Sequence, residues 1–277
     1  MRFSIVTPSF RQLAWLKRAV RSVADQQGVE VEHIIQDAGT GPELEAWVRG
    51  NSTAQLFVEK DNGMYDAVNR GLARATGDIC AYLNCDEQYL PGTLARVARC
   101  FEENPSADAV AGDYLVIGAD NELLSFRKVT PLRRSMILTD HLYAFTCAIF
   151  FRRRLFTEGL RFNDQLRDVA DAQWVTEVLR AGHRFALVHE YLTTFVFTGE
   201  NRSVGEVARQ ERLAARARLP LWMRAAAPAL RAYRHVEKLL AGGYASRPIS
   251  YEIYPSEDAV ERARFTAERP SFRYPGV

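Results

Sequence analysis

The feature that most restricts the fold of this chain is the regular alternation of strand-like and helix-like segments in its first hundred residues. Short runs rich in β-branched and aromatic residues occupy residues 2–7, 31–36, 55–59 and 78–83. Between them, apolar residues recur at helical spacing after Leu13 and again after Met64. Strands separated by helices favour a parallel sheet covered on both faces. The pattern therefore predicts an α/β fold with a Rossmann-like, mainly parallel sheet flanked by helices.

The remainder of the chain is less regular. We predict a helix over residues 169–180 and strands over residues 107–117, 123–129, 145–151, 184–188 and 193–197. From residue 204 to residue 240 an Ala/Arg-rich helix is expected, with breaks at Pro220 and Pro228. The prolines of residues 251–277 indicate an extended tail. We accordingly divide the chain into one domain at residues 1–203 and a basic helical extension with a tail at residues 204–277.

Polar and turn-forming residues follow the first four predicted strands. The segments are Thr7-Pro8-Ser9-Phe10, Asp37-Ala38-Gly39-Thr40, Asp61-Asn62-Gly63 and Asn84-Cys85-Asp86-Glu87. In open α/β sheets ligands bind beyond the carboxyl ends of the strands, so four such segments predict a binding crevice. Each one alone is equally typical of a turn or a helix cap. Dinucleotide binding and P-loop chemistry are disfavoured, because neither GxGxxG after the first strand nor GxxxxGK[ST] occurs.

The carboxylates of this crevice suit a cation-bridged phosphate. Bare acids repel a diphosphate, whereas a divalent cation joins the two, because hard cations prefer oxygen ligands. Asp86, just past a buried strand, is the best-placed ligand, although Asp86 and Glu87 also suit an N-cap for a helix starting near Pro91. Asp37 suits a contact to a base or ribose, because a carboxylate accepts N–H and O–H hydrogen bonds.

The segments TPSF (7–10), QDAGT (36–40), EKDNGMYDAVNRG (59–71) and YLNCDE (82–87) together resemble the inverting family-2 glycosyltransferases of the GT-A fold, of the bacterial surface-polysaccharide type. The family forms read roughly TPSYN, DGGSTDGT, EPDxGIYDAMNKG and YLNSDD. The resemblance extends from residue 2 to about residue 203. It implies a nucleotide-sugar donor and a divalent cation, Mn²⁺ or Mg²⁺.

The resemblance also assigns roles to single residues of the donor site. Thr7, Pro8 and Phe10 match the segment that forms the wall of the base pocket, and Asp37 matches the acid that recognises the base. Asp61 and Asp66 match the block beside the nucleotide. Asn84, Cys85 and Asp86 occupy the DxD-type motif, with Asp86 at the position of the metal ligand. Asn84 replaces the first Asp of that motif, and Glu87 stands where a second Asp is usual.

A second block, residues 162–174, resembles the family pattern FDExLxxxxDxxxxLR and implies a catalytic base at Asp171. An inverting transfer is a direct displacement at the anomeric carbon, so the acceptor hydroxyl needs a carboxylate to take its proton. Asp168 is the alternative base, and either acid also suits a helix N-terminus. His141, His189 and Arg202 are further candidates for contacts to the acceptor or the diphosphate.

Charge is concentrated in residues 205–250, which hold nine Lys/Arg against three Asp/Glu, a net +6, whereas the whole chain carries +2. Interleaved with large apolar residues, this charge predicts one of three contacts: an anionic membrane surface, the catalytic domain or a second copy of the chain. Nucleic-acid binding is not expected, because the isoelectric point is only about 8.3 and no binding motif occurs. The four cysteines show no metal-ligand spacing and predict free thiols.

These patterns predict a cytoplasmic enzyme, and the first of the three contacts predicted for residues 205–250 would place it on the inner face of the cell membrane. No apolar stretch approaches the roughly 20 residues of a membrane span, and residues 1–8 lack the apolar core of a signal peptide. The predicted reaction is inverting transfer of a sugar from a UDP- or dTDP-linked donor to a hydroxyl of a glycan or lipid-linked saccharide in surface-polysaccharide synthesis. A non-catalytic binding module for nucleotide sugars or glycans is the main alternative. A nucleotidyltransferase is less favoured, because the loop after the first strand lacks glycine.

Overall fold

The structure, a computed structural model, describes residues 1–199 and 205–275. In these residues the strands are β1 (Arg2–Ser9), β2 (Glu30–Asp37), β3 (Gln55–Val58), β4 (Ile79–Tyr82), β5 (Glu87–Tyr89), β6 (Ala109–Gly118), β7 (Leu123–Arg127), β8 (Ile149–Arg152), β9 (Phe185–Phe197), β10 (Ile249–Ile253) and β11 (Ala263–Ala267). The α-helices are α1 (Leu13–Ala24), α2 (Pro42–Asn51), α3 (Met64–Arg74), α4 (Thr93–Glu103), α5 (Arg134–Thr139), α6 (Arg154–Thr157), α7 (Ala170–Arg180), α8 (Glu206–Ala217) and α9 (Leu221–Leu240).

One mixed sheet organises the described residues, in the order β3-β2-β1-β4-β8-β6-β9-β5, with β7 also paired to β6. The strands β3, β2, β1 and β4 run parallel, and β1 pairs with β2 along its whole length, from Arg2 opposite Glu30 to Ser9 opposite Asp37. Strand β8 is antiparallel to β4 and β6, while β6 and β9 are parallel. The predicted α/β fold with a mostly parallel sheet is confirmed.

Two apolar layers cover the two faces of the sheet. On one face Val6 and Ile34 pack with α3 and α7, and on the other Phe3 and Ile5 pack with α1 and α4. Gly71 allows α3 to lie directly on β1, because a Cβ there would be 2.4 Å from a methyl carbon of Val6. This close approach explains the glycine at the end of the YDAVNRG segment.

Several predicted elements need correction. The strand predicted over residues 145–151 begins only at Ile149, because Thr146–Ala148 forms a 3₁₀ turn. The two strands predicted at 184–188 and 193–197 are one strand, β9, whose pairing with β6 shifts register near Gly112 and Asp113. Pro228 lies inside α9 without ending it. The sequence patterns also missed α2 and the three-residue strand β5.

The predicted extended tail is wrong, because β10 and β11 form an antiparallel hairpin that packs on the sheet. Tyr251 and Ile253 are buried beside residues of β6 and β7. Polar contacts join the same region to α1: the Arg262 guanidinium binds both carboxylate oxygens of Asp25, at 2.6 and 2.8 Å, and Arg18 Nε donates to the Tyr254 carbonyl at 2.8 Å. These buried contacts hold residues 249–267 against the sheet domain.

The basic helices α8 and α9 are attached to the sheet domain by ion pairs around α5. Asp140 accepts hydrogen bonds from Arg234 at 2.8 Å, and Arg216 and Arg231 lie within 4 Å of its carboxylate. Although burial opposes ionisation, the hydrogen bond and charge of His141, followed by the nearby arginines, hold the pKa of Asp140 at about 2. Arg133 makes a second pair with Glu237, at 2.6 Å. Packing on the catalytic domain, one of the three predicted contacts, therefore accounts for part of the basic segment.

No helix in the described part of the chain is long and apolar enough to cross a membrane.

Candidate active site

The carboxyl ends of β3, β2, β1 and β4 lie side by side, so the four polar segments identified in the sequence meet at one edge of the sheet. Backbone hydrogen bonds continue past the strands and fix the segments to each other. The Ala38 N–H donates to the Ser9 carbonyl, and the Glu59 N–H donates to the Asp37 carbonyl, each at 2.9 Å. The hydrogen-bonded backbones of neighbouring strand ends thus form the base of one crevice.

The end of β1 supplies an exposed aromatic ring. Phe10 is 51% exposed, and the Arg11 guanidinium lies 4.8 Å from its ring centroid. Pro8 is buried beneath it. Thr7 differs from the prediction in its surroundings, because it is fully buried and its hydroxyl bonds to His33 Nε2 at 2.9 Å. Phe10 is therefore the residue of this segment that can stack on a nucleotide base.

The end of β2 is a tight turn held by Asp37. Its buried carboxylate accepts the N–H of Gly39 at 2.9 Å, and the N–H and hydroxyl of Thr40, both at 2.6 Å. These bonds are those of the turn-forming alternative. The structure therefore places Asp37 under the crevice as the residue that shapes the turn, with its carboxylate already hydrogen-bonded.

Two further carboxylates lie at the start of α3. Asp61 accepts the Gly63 N–H at 2.9 Å. Asp66 accepts the Asn62 N–H at 2.9 Å and hydrogen bonds from Nε and one terminal nitrogen of Arg70, at 3.0 and 2.9 Å. The Arg70 hydrogen bonds lower the pKa of Asp66. Burial raises the pKa of Asp61, and the charges of Asp66 and Asp37 raise it further. The charge of Asp66 is consequently balanced by Arg70 of the same helix, whereas Asp61 keeps carboxylate oxygens available for a ligand.

The turn after β4 is built around Glu87. This side chain is 1% exposed and accepts the Asn84 N–H at 2.7 Å and the Asn84 side-chain amide at 3.1 Å. Burial and then the charge of Asp86 raise the pKa of Glu87. Helix α4 starts after Gly92, so the N-cap alternative for Asp86 and Glu87 is wrong. Glu87 instead fixes the turn that presents Asn84 and Asp86.

This turn offers oxygen ligands for a cation. Among the described residues no group of three or more His, Cys, Asp or Glu side chains forms a complete metal site. Asn84 Oδ1, however, is buried without a hydrogen-bond partner, and the Asp86 carboxylate lies two residues along the same turn. Mg²⁺ and Mn²⁺ accept one or two protein oxygens and complete their shell with substrate phosphates and water. The residues present fit a cation held jointly with a diphosphate.

Cys85 connects two strand ends and contributes no ligand. Its thiol donates to the Pro8 carbonyl at 3.2 Å, and burial raises its pKa to about 12, so it stays protonated. The four cysteines are free and buried, which confirms the predicted free thiols.

Asp171 lies in the first turn of α7. Burial raises its pKa to about 6, against the hydrogen bonds that it accepts from the Ala172 N–H, at 2.7 Å, and from the Tyr65 hydroxyl. Its charge is close enough to raise the pKa of Glu87. The structure therefore brings Asp171 and the turn at residues 84–87 together at one site. Asp168 is half-buried in the segment that leads into α7, before the helix begins.

The sequence patterns missed the residues that support Asp171. Tyr65 and Asn69 belong to the YDAVNRG segment and lie one helical turn apart on α3, hence on the same face. Tyr65 bonds to Asp171, while Asn69 pairs with the backbone of Phe162 at 2.7 and 3.1 Å. Helical spacing in this segment was the available signal. Glu211 of α8, which contacts the start of α7, had no sequence signal.

The two lower-ranked histidines make contacts with other groups. His141 is bonded to Asp140 and Arg234, at 3.1 and 3.2 Å, in the ion-pair cluster beside α5. His189 is exposed, 4.0 Å from the Asp113 carboxylate. Arg202 lies outside the described residues, as does the predicted domain boundary at residues 203–204.

Comparison with known sequences agrees with this geometry. The profile of Glycosyl transferase family 2 matches residues 4–160, more than half of the chain. A PGL/p-HBAD biosynthesis glycosyltransferase of Mycobacterium bovis is 30% identical over 200 residues, covering 70% of this chain and 75% of the relative. An uncharacterized glycosyltransferase of Mycobacterium tuberculosis is 36% identical over 89 residues, which are 31% of this chain and about a third, 34%, of the relative's length.

Solved structures share the fold at low sequence identity. TarS of S. aureus, residues 1–349 in complex with UDP-GlcNAc, is 14% identical with a TM-score of 0.59 over 88% of this chain and 75% of that structure. A mannosyltransferase of Pyrobaculum calidifontis, in complex with GDP-Man and Mn²⁺, is 18% identical with a TM-score of 0.55 over 87% of this chain and 79% of that structure. These similarities confirm the predicted GT-A fold.

Proposed function

Because this chain belongs to glycosyl transferase family 2, we propose that it transfers one sugar, with inversion, from a UDP- or dTDP-linked donor to a hydroxyl of a glycan or lipid-linked saccharide. The observation that carries the proposal is Asp171, a carboxyl group with a pKa of about 6 held by Tyr65 close to the turn of Asp86. A general base works best when its pKa is near the operating pH. The relatives named for PGL/p-HBAD and succinoglycan biosynthesis support an acceptor of the surface-glycan class.

The residues of the crevice divide the reaction between donor and acceptor. Phe10 stacks on the base, and Asp61 accepts hydrogen bonds from ribose or base. Asn84 and Asp86 would hold the divalent cation, which would offset the negative charge of the leaving diphosphate. The acceptor oxygen attacks the anomeric carbon as the bond to the diphosphate breaks. Asp171 takes the proton of that oxygen, so the products are the glycoside and a nucleoside diphosphate.

The test of this function is a donor panel followed by turnover. UDP-glucose, UDP-GlcNAc, UDP-galactose, dTDP-rhamnose and GDP-mannose are each mixed with the protein and MnCl₂, and the thermal midpoint is measured. A ligand of the native state raises the midpoint by mass action. We expect a UDP- or dTDP-sugar to give the largest shift and then to release nucleoside diphosphate when a glycan acceptor is added. Binding without release would favour the non-catalytic alternative, and no shift with any member would contradict the proposed donor class.

Turnover should depend on pH through Asp171. The base must be ionised to accept a proton, and its pKa is raised to about 6. Activity is therefore expected to be full above about pH 7 and to fall about tenfold per pH unit below pH 6, as the carboxyl becomes protonated. The titratable and charged groups that interact with this carboxyl include Tyr65, Tyr82, Glu87 and Arg212. Turnover measured from pH 4.5 to 8.5 at saturating donor checks this, and a flat profile across pH 6 would contradict Asp171 as the base.

We also propose that the chain meets its acceptor at the cytoplasmic surface of an anionic membrane, through the outer face of α9. This helix has no buried residue; Leu230 packs against the core, while most of its other large apolar side chains are exposed. The exposed set, at the two ends of the helix, is Leu221, Trp222, Tyr233, Val236, Leu239 and Leu240. The three acids of the basic segment are engaged elsewhere: Glu206 by Arg209, Glu211 by the start of α7 and Glu237 by Arg133. An apolar face bordered by Arg224 and Arg231 suits anionic lipid headgroups.

This surface predicts salt-sensitive binding to vesicles that contain phosphatidylglycerol. Replacing Trp222 and Leu240 with Ser should weaken vesicle partitioning by roughly tenfold or more, because each large side chain loses about 1.5–3 kcal/mol of burial. Val260→Ser, at an equally exposed apolar residue far from α9, is the matched control. Co-sedimentation at low and high NaCl is the measurement. If the variant with Trp222 and Leu240 replaced sediments like the wild type and like Val260→Ser, the membrane role is wrong. A changed oligomeric state of that variant would instead indicate a dimer contact.

A further inference from the structure

Helix α8 makes an unusual contact with the start of the helix that carries Asp171. The Glu211 carboxylate accepts three successive backbone N–H groups, those of Arg167 at 2.8 Å, Asp168 at 3.0 Å and Val169 at 3.1 Å. Glu211 itself is half-buried in this contact. The bonded groups are more than forty residues apart in the sequence, so only the packing of α8 on the domain brings them together.

These three N–H groups need a partner from elsewhere in the chain. Helix α7 begins after Val169, whose own side chain makes no cap hydrogen bond. Of the three, the Val169 N–H is at the N-cap of α7, where it has no intrahelical acceptor and lies at the end of the helix with partial positive charge; the Arg167 and Asp168 N–H groups precede the helix. A carboxylate that accepts several N–H groups neutralises that charge and fixes the approach of the chain to the helix. Glu211 therefore sets where α7 starts and how its first turn is oriented.

The first turn of α7 is the turn that presents Asp171. On its inner side Asp171 is held by the Tyr65 hydroxyl of α3, and on the α8 side the charge of Arg212 attracts it. Arg212 is the neighbour of Glu211, so one segment of α8 supplies both a backbone clamp and a favourable charge. The segment at residues 167–169 is meanwhile outside any helix or strand, and Glu211 accepts the hydrogen bonds of its three N–H groups.

We propose that Glu211 is a positioning residue for transfer, which holds residues 167–169 so that Asp171 points at the acceptor oxygen. Helix α8 thereby completes the catalytic site and is more than an appendage to it. This inference rests on the proposed role of Asp171 as the base. It assigns no contact between Glu211 and the donor, because Glu211 meets only the backbone before α7 in the contacts described above.

The experiment compares Glu211→Ala and Glu211→Gln with Glu206→Gln in the full chain. Glu206 lies on the same helix, is exposed, and pairs only within α8, with Arg209 and Gln210. Three quantities are measured: turnover with the best donor of the five-member panel, affinity for UDP with Mn²⁺ by calorimetry, and hydrogen exchange of the amides of residues 167–169. Misplacement of a reacting group by about 1 Å can cost roughly 100-fold, so we expect Glu211→Ala to lower turnover about 10- to 100-fold.

The other readouts separate positioning from stability. UDP affinity should remain near wild type in both Glu211 variants, because the donor crevice is built from β1 to β4. The amides of residues 167–169 should exchange faster, while those of β1 and β4 stay protected. Glu211→Gln keeps one acceptor oxygen and should lose less turnover than Glu211→Ala. Glu206→Gln should match the wild type in all three measurements.

Two results would overturn the inference. Faster exchange of the three amides with near-wild-type turnover would show that the clamp only stabilises the docking of α8. Loss of UDP affinity together with turnover would show a general structural defect. The Asp171→Asn variant distinguishes failure of this inference from failure of the proposed function. Normal turnover in Asp171→Asn would reject Asp171 as the base, whatever the Glu211 variants show. A large loss of turnover in Asp171→Asn, with normal turnover in the Glu211 variants, would reject only the positioning role of Glu211.

Discussion

The Asp171→Asn variant is expected to lose about 10²–10⁴-fold in turnover, the usual contribution of a general base, while its donor affinity stays nearly unchanged. Asparagine has almost the same shape and can still accept the Tyr65 hydroxyl, but its amide cannot take a proton at neutral pH. Donor binding does not require proton removal, so the two measurements should separate. Product formation at saturating donor, with donor affinity from calorimetry, tests the prediction.

Asp168→Asn is the matched control for this variant. Asp168 lies three residues earlier, in the same segment. Its substitution should lower turnover much less than that of Asp171. A collapse of activity in Asp168→Asn, with Asp171→Asn near wild type, would show that the base was assigned to the wrong carboxylate. Loss of donor affinity along with turnover in Asp171→Asn would instead indicate that Asp171 supports the structure of the helix start.

The Asp86→Ala variant is expected to lose transfer and the metal-dependent part of donor binding. Asp86 is the only carboxylate that the turn offers to a cation, because Glu87 is buried and bonded to Asn84. Without it the diphosphate faces the uncompensated charges of the crevice, including Asp61. UDP affinity measured with MnCl₂ and with EDTA should differ in the wild type and converge in the variant.

Asp164→Ala provides the control for Asp86, because it removes an exposed carboxylate from the loop before α7. This variant should retain the difference between MnCl₂ and EDTA. If the wild type binds UDP equally well with and without EDTA, the metal role of Asp86 is wrong. Transfer that survives in Asp86→Ala would lead to the same conclusion.

The position of the crevice could be predicted because it depends on local patterns and a simple topology. Four strand-like runs separated by helical spacing favour a parallel sheet, and parallel strands end at the same edge. The residues after each strand could therefore be grouped before any contact was known. The turn at Asn84 and the exposed ring of Phe10 are found where this argument puts them.

The contacts that support Asp171, the proposed base, could not be predicted, because they join distant segments of the chain. Residue types alone left Asp168 and Asp171 as alternatives. The hydrogen bond of Tyr65, which reaches Asp171 from α3, supports the proposal of Asp171. The Glu211 clamp and the hairpin of β10 and β11 depend on tertiary packing in the same way. Prolines affect only the local backbone, so those near the hairpin indicated an extended tail. The hairpin forms because β10 packs on residues that are distant in the sequence.

The hairpin contacts with α1 have a consequence for folding during synthesis. Arg18, only 6% exposed, donates to the Tyr254 carbonyl 236 residues later, and Asp25 is bound by Arg262, 237 residues later. The ribosome thus releases α1 long before the partners of these two side chains exist. Contacts of such long sequence separation form slowly, and chains emerge at about 5–20 residues per second. The outer side of α1 should therefore remain exposed to chaperones until residues 249–262 have left the exit tunnel.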